Sequence, residues 1–85
     1  MKSLTTPDFW RSYAALPPQI KEQAKKTYQL WLSNQFHPSL HFKKVSNNLW
    51  SVRINIDYRA LAIKEEEDYY WIWIGSHDEY DKLLG

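Results

Sequence analysis

Between residues 49 and 75 the chain reads "LWSVRINI", "YRALAIK" and "YYWIWIG", three runs in which apolar or aromatic residues alternate with others. The residues joining them, "ID" at 56–57 and "EEED" at 65–68, read as hairpin turns, and "SNN" at 46–48 joins a further run, "LHFKKV", to the first. This order predicts a four-stranded antiparallel meander. Residues 2–5 can add a short edge strand beside it.

Alternation also assigns the two faces of that sheet. Leu40 and Phe42 share one face, as do Val52, Ile54 and Ile56, while His41, Lys43, Ser51, Arg53 and Asn55 take the other. If Ile72 and Ile74 join the apolar face, Trp71, Trp73 and His77 fall on the open one, unless Gly75 introduces a bulge that resets the count. An apolar sheet face needs a cover, and the N-terminal residues supply it. "TTPDF" reads as a helix start with Thr6 as N-cap and Pro7 in the first position, and that helix must yield before Pro17. From Pro18 a longer helix carries Ile20, Ala24, Thr27, Tyr28 and Trp31 as one stripe of a 3.6-residue period and ends near residue 34. The fold class expected is α+β: a twisted antiparallel sheet of about four strands on two N-terminal helices, with a short helix at the C-terminal end.

At 85 residues, one domain spanning 1–85 is the expectation, and without cysteine its stability must come from packing. Five tryptophans, six tyrosines and three phenylalanines are suited to that, since each large ring buries about 150–250 Å². The opening "MKSLTTPDFW" has no apolar signal core and no run approaches bilayer length, so a soluble cytoplasmic protein is expected, with no membrane partner. Eleven basic and ten acidic side chains leave a formal charge of +1, which does not advertise a nucleic-acid binder. The distribution is uneven, however, with Lys43, Lys44, Arg53 and Arg59 in the middle of the chain and acids toward its end. A face holding these cations beside Trp71 and Trp73 suits a stacked base and its phosphate, or is a solvated face with lysine stems lying over indoles.

The last strand leads into "SHDE", a capping-box pattern in which Ser76 accepts from the Glu79 N–H and Glu79 reaches back to the Ser76 N–H. His77 then opens a terminal helix through "DEYDKLL", docked by Leu83 and Leu84. A helix start can hold a phosphate oxygen, and an imidazole there can give or take a proton during phosphoryl transfer; the alternative is a merely exposed histidine. There is no cysteine, no HExxH and no Walker loop, and Pro38 separates His37 from His41, so no metal site or cofactor is expected.

The run "LPPQIKEQAKKTYQLWLSNQFHPSLHFKKV", with "WSVRINIDYRALAI" and "WIWIGSHDEYDKLL" after it, resembles the RelE/ParE superfamily of toxins from bacterial type II toxin-antitoxin systems over nearly the whole chain. The resemblance implies a ribosome-dependent mRNA endoribonuclease that represses translation without a metal, the ribose 2′-hydroxyl attacking the adjacent phosphate. It implies His77 as catalytic acid or base, with Arg53, Asp57 and Tyr58 near the reaction centre. Arg59, Lys43 and Lys44 would hold the RNA backbone or stabilise added negative charge, and Tyr80 would orient the substrate or stack on a base. The implied partners are a cognate antitoxin, the ribosome and mRNA. The same superfamily contains gyrase-binding ParE toxins without nuclease residues, and a chain like this can also be a decayed toxin that keeps only the fold and its antitoxin-binding surface.

Overall fold

A computed structural model describes residues 1–85. The elements in order are β1 (Ser3–Thr5), α1 (Pro7–Ala14), α2 (Pro18–Ser33), a single 3₁₀ turn (Pro38–Leu40), β2 (Lys43–Ser46), β3 (Leu49–Asn55), β4 (Tyr58–Glu65), β5 (Asp68–Ser76) and α3 (His77–Leu84). The meander β2–β5 is antiparallel as the alternation implies, and β1 adds to its β5 edge in parallel, giving one five-stranded mixed sheet of order β1-β5-β4-β3-β2. No helix is long and apolar enough to cross a membrane.

Thr6 fixes the start of α1 twice over. Its hydroxyl oxygen accepts from the Phe9 N–H at 3.2 Å, and the hydroxyl donates to the Trp71 carbonyl at 2.9 Å, which ties the helix to β5. α2 opens on Pro18 without a side-chain cap and buries Ile20, Ala24 and Trp31 on its inner stripe. Trp31 is the centre of the core at 1% exposure. Its indole stacks on Tyr28 and meets Phe42, Tyr69 and Trp71 edge-on, with ring centroids 5.1–6.0 Å apart.

Two bulges shift the faces that simple alternation assigns. Trp73 pairs with Leu61 while Trp71 pairs with Ala62, so the extra residue in β5 is Ile72, not Gly75. Trp71 and Ile74 consequently both point to the helices. Trp71 is 4% exposed, and its indole N–H donates to Ser3 Oγ at 2.9 Å. It is a core residue, not the open-face, substrate-binding side chain expected. In β3 the shift falls between Arg53 and Asn55, which turns Asn55 to the helix side, where its amide donates to Gln23 Oε1. Ile56 lies in the turn, exposed, rather than with Val52 and Ile54 against the helices.

Two further expectations change. "LHFKKV" is not extended throughout, because Pro38 opens a 3₁₀ turn that ends at His41 in the left-handed region, and pairing starts at Lys43. Leu40 and Phe42 still enter the core from either side of that kink. α3 buries no residue, and Leu83 and Leu84 stay exposed instead of docking it.

Candidate active site

The undisturbed part of the register lines up two rows across the open face. Lys43 stands opposite Ser51, Ser51 opposite Leu61 and Leu61 opposite Trp73; one step along, Arg53 stands opposite Arg59, and Arg59 opposite Gly75. Side chains directly opposite one another are close neighbours, so the two guanidiniums repel. The Arg59 side chain is restrained by its own hairpin, its Nη1 donating to the carbonyls of Asn55, Ile56 (3.3 Å) and Tyr58 (3.0 Å). Burial lowers the pKa of Arg59, and the Arg53 charge lowers it further, while Tyr80, Asp81 and Asp57 pull the other way. An arginine so shifted keeps its proton at any physiological pH.

Gly75 leaves the third place in the second row without a side chain. A Cβ there would lie 3.0 Å from Cε2 and Cη2 of the Trp73 ring and closer still to Cζ2, so the indole lies across the glycine. Beyond Gly75 the chain turns into α3. Ser76 caps that helix, accepting from the Glu79 N–H at 3.2 Å; the expected return bond to the Ser76 backbone is replaced by one from the Ser76 hydroxyl to Glu79 Oε1 at 3.0 Å. The His77 N–H donates to the Asp57 carbonyl at 2.7 Å, which fixes the strand exit against the β3–β4 turn. The His77 side chain is 43% exposed, with Nδ1 3.2 Å from Asp81 Oδ2. Donation from Nδ1 to that carboxylate leaves Nε2 of the neutral ring as the free base. The Tyr80 ring lies 5.9 Å from that of His77.

These elements close around a cavity of about 130 Å³ lined by His41, Lys43, Ser51, Arg53, Arg59, His77 and Tyr80. No carboxylate lines it. Its lining is cationic and rich in hydrogen-bond donors, which suits a small anion such as a phosphate group. No three His, Cys, Asp or Glu side chains converge as a metal would need. A larger apolar cleft of about 580 Å³ opens on the other side of the sheet, between α1 and α2, where Trp10, Tyr13 and Tyr28 flank a floor of Val52, Ile54 and Trp71. Lys25 is the only charged residue lining it, so acid–base chemistry has no seat there.

Of the residues singled out in the sequence, the fold gathers His77, Arg53, Arg59, Tyr80 and Lys43 around one cavity. Asp57 contributes its backbone instead, with its carbonyl on His77 and its N–H on Asn55 Oδ1 at 2.7 Å. Tyr58 packs against the core on the helix side, and Lys44 stands opposite Trp50 on that same side, exposed. Trp73 does not line the cavity; its ring lies over Gly75, the residue opposite Arg59. His41 and Ser51 do line it; alternation puts both on the open face, but nothing in their spacing marks them as parts of a site.

The model of the ParE-like toxin domain family matches residues 18–82, from the start of α2 to the last turn of α3. The chain belongs to that family, within the RelE/ParE superfamily. Solved structures of this superfamily share its fold. The chain is similar to the RelB-RelE antitoxin-toxin complex from Methanococcus jannaschii at 15% identity and a TM-score of 0.75, over 96% of this chain and 99% of that one. It is similar to YafQ from E. coli strain BL21(DE3) at 8% identity and a TM-score of 0.75, over 93% and 96%. The YoeB/ParE toxin from Agrobacterium tumefaciens matches at 16% identity and a TM-score of 0.68, over 91% and 99%. No curated protein sequence matches the chain. At these identities the structural likeness of a ParE-like domain carries its fold, and the chemistry has to be argued from its own side chains.

Proposed function

We propose that this ParE-like domain is the toxin of a toxin–antitoxin pair and that it cleaves mRNA on the ribosome, in the cytoplasm, at the cavity around His77. The observation that carries the reading is an imidazole, held at Nδ1 by Asp81, that lines one small cavity with Lys43, Arg53 and Arg59 and with no carboxylate. In the reaction the ribose 2′-oxygen bonds to the adjacent phosphorus and the bond from phosphorus to the 5′-oxygen breaks. One proton leaves the 2′-hydroxyl and another reaches the departing 5′-oxygen, and His77 performs one of these transfers. Arg53 and Arg59 meet the charge that accumulates on the pentacovalent phosphorus, Lys43 holds the entering strand, and Tyr80 orients the substrate beside His77. Trp73, whose ring lies over Gly75 on the same face of the sheet, offers that ring to a flanking base. General acid or base catalysis is worth about 10²- to 10⁴-fold, so His77→Ala is expected to reduce cleavage by that order while the fold persists. Primer extension on translated mRNA measures it, and undiminished cleavage by the variant removes His77 from the mechanism.

An antitoxin is the partner this reading requires, and antitoxin complexes occur among the matched structures. The apolar cleft between α1 and α2 offers a partner chain more buried area than the polar cavity does. Co-expression with the neighbouring open reading frame, followed by gel filtration, is expected to give one complex; two separate peaks contradict it. The match to a ParE-like family favours one further reading, a toxin that binds gyrase and cuts no RNA. Inhibited supercoiling together with intact mRNA would select it.

A further inference from the structure

His41 carries a side chain where the backbone favours glycine. Its φ of 45° and ψ of 40° lie in the left-handed region, which a Cβ disfavours. The kink is imposed from both directions. His37 Nδ1 accepts from the Ser39 N–H at 3.2 Å to close the 3₁₀ turn, and Leu40 and Phe42, at 2% and 7% exposure, anchor the residues on either side of His41 in the core. With both neighbours pinned inward, the imidazole leaves on the opposite side of the sheet and reaches the cavity wall.

There His41 Nε2 lies 3.1 Å from Arg53 Nη1. A guanidinium has only donors, so Nε2 must accept, and the ring is neutral with its proton on Nδ1. Arg53 has no ion-pair partner, since none of the ion pairs includes it. It stands opposite Arg59, whose charge repels it. The other groups facing the imidazole are Lys43 from β2, Arg59 from β4, and His77 and Tyr80 from α3, and none is a carboxylate that could take over its task.

We propose that His41 is a positioning residue: its neutral Nε2 holds the Arg53 guanidinium in the cavity against Arg59, so that a bound anion meets both. Strain kept at a functional position fits this role, because glycine would relieve the backbone and lose the acceptor. Taking the anion to be an RNA phosphodiester rests on the function proposed above; the His41–Arg53 bond and its effect on anion binding do not.

The test uses the full chain and inorganic sulfate as the probe, at about pH 8, where histidine is neutral by its reference value. Nitrogen-15 spectra of the imidazole are expected to show the Nδ1–H tautomer. His41→Gly should melt at the same or a higher temperature and yet bind sulfate about 10-fold more weakly, the lower end of what losing a hydrogen bond to a charged group costs. His41→Gln, with a carbonyl oxygen at the same number of bonds from Cβ, should bind like the wild type. In an Arg53→Gln background, His41→Gly should change sulfate binding less than about twofold, since the group it positions is gone. The proposal is overturned by an Nε2–H tautomer, by an equal loss in the Arg53→Gln background, by a failure of Gln to substitute, or by a wild type that binds no sulfate. Cleavage of translated mRNA, assayed in parallel, separates the two readings. Sulfate results as expected without any cleavage leave the positioning intact and remove the ribonuclease; cleavage with uncoupled sulfate effects does the reverse.

Discussion

Gly75→Ala tests whether the open face is packed as described. The glycine has an ordinary negative φ, so alanine meets no backbone strain, and the whole cost comes from the new Cβ striking the Trp73 indole. Gly75 is buried and the ring lies across it, so the indole must swing away or the strand must shift. Overpacking of this kind costs about 1–3 kcal/mol. In a Trp73→Ser background the obstacle is absent, and the same substitution should stabilise by about 0.4–1 kcal/mol through the restricted unfolded chain. The two changes therefore couple by about 1.5–4 kcal/mol. Urea unfolding of the four proteins measures the cycle, and in a domain of this size each kcal/mol moves the melting temperature by about 4–8 °C. A Gly75→Ala effect of the same sign and size in both backgrounds would refute the packing of Trp73 over Gly75.

Thr6→Ala removes both the α1 cap and the tether to Trp71, and chemical denaturation should show a loss of about 0.5–2 kcal/mol, with Thr6→Ser largely restoring it. Trp31→Ala empties the centre of the aromatic cluster and should cost about 3–5 kcal/mol, enough to leave the domain largely unfolded by circular dichroism, whereas Trp10→Ala at a half-exposed site should leave it folded. Arg59→Lys keeps the charge but cannot reproduce the guanidinium fork on the β3–β4 turn carbonyls, so mRNA cleavage should fall while the net charge stays the same. The pKa of Arg59 is lowered by folding, so the charged form is penalised at every pH below its folded value and the penalty is relieved only as the group loses its proton in strong alkali. Arg59→Gln should therefore leave the slope of stability against pH unchanged between about pH 5 and 9, as thermal melts across that range would show.

What the sequence determined by itself is local and periodic. Alternation from Leu49 to Gly75 gives the meander, the stripe through Ile20, Ala24 and Trp31 gives the covering helix, and Thr6, Pro7, Pro18 and Ser76 mark where helices begin; each follows from residues within a few positions of one another. The same periodicity put Lys43, Arg53 and His77 within reach of one face. Only tertiary structure decided the rest. A bulge at Ile72 sends Trp71 into the core because the indole gains Trp31, Tyr28 and Ser3 Oγ there, and those partners come from remote parts of the chain. A one-residue shift changes faces, and no residue of "YYWIWIG" records in advance which side can bury a tryptophan. The pocket has the same origin. His41 reaches Arg53 through a left-handed kink held by the burial of Leu40 and Phe42, and His77 is fixed by the Asp57 carbonyl across the β3–β4 turn. Periodicity chooses a face, but side chains far apart in sequence become a site only when packing sets the register between the elements that carry them.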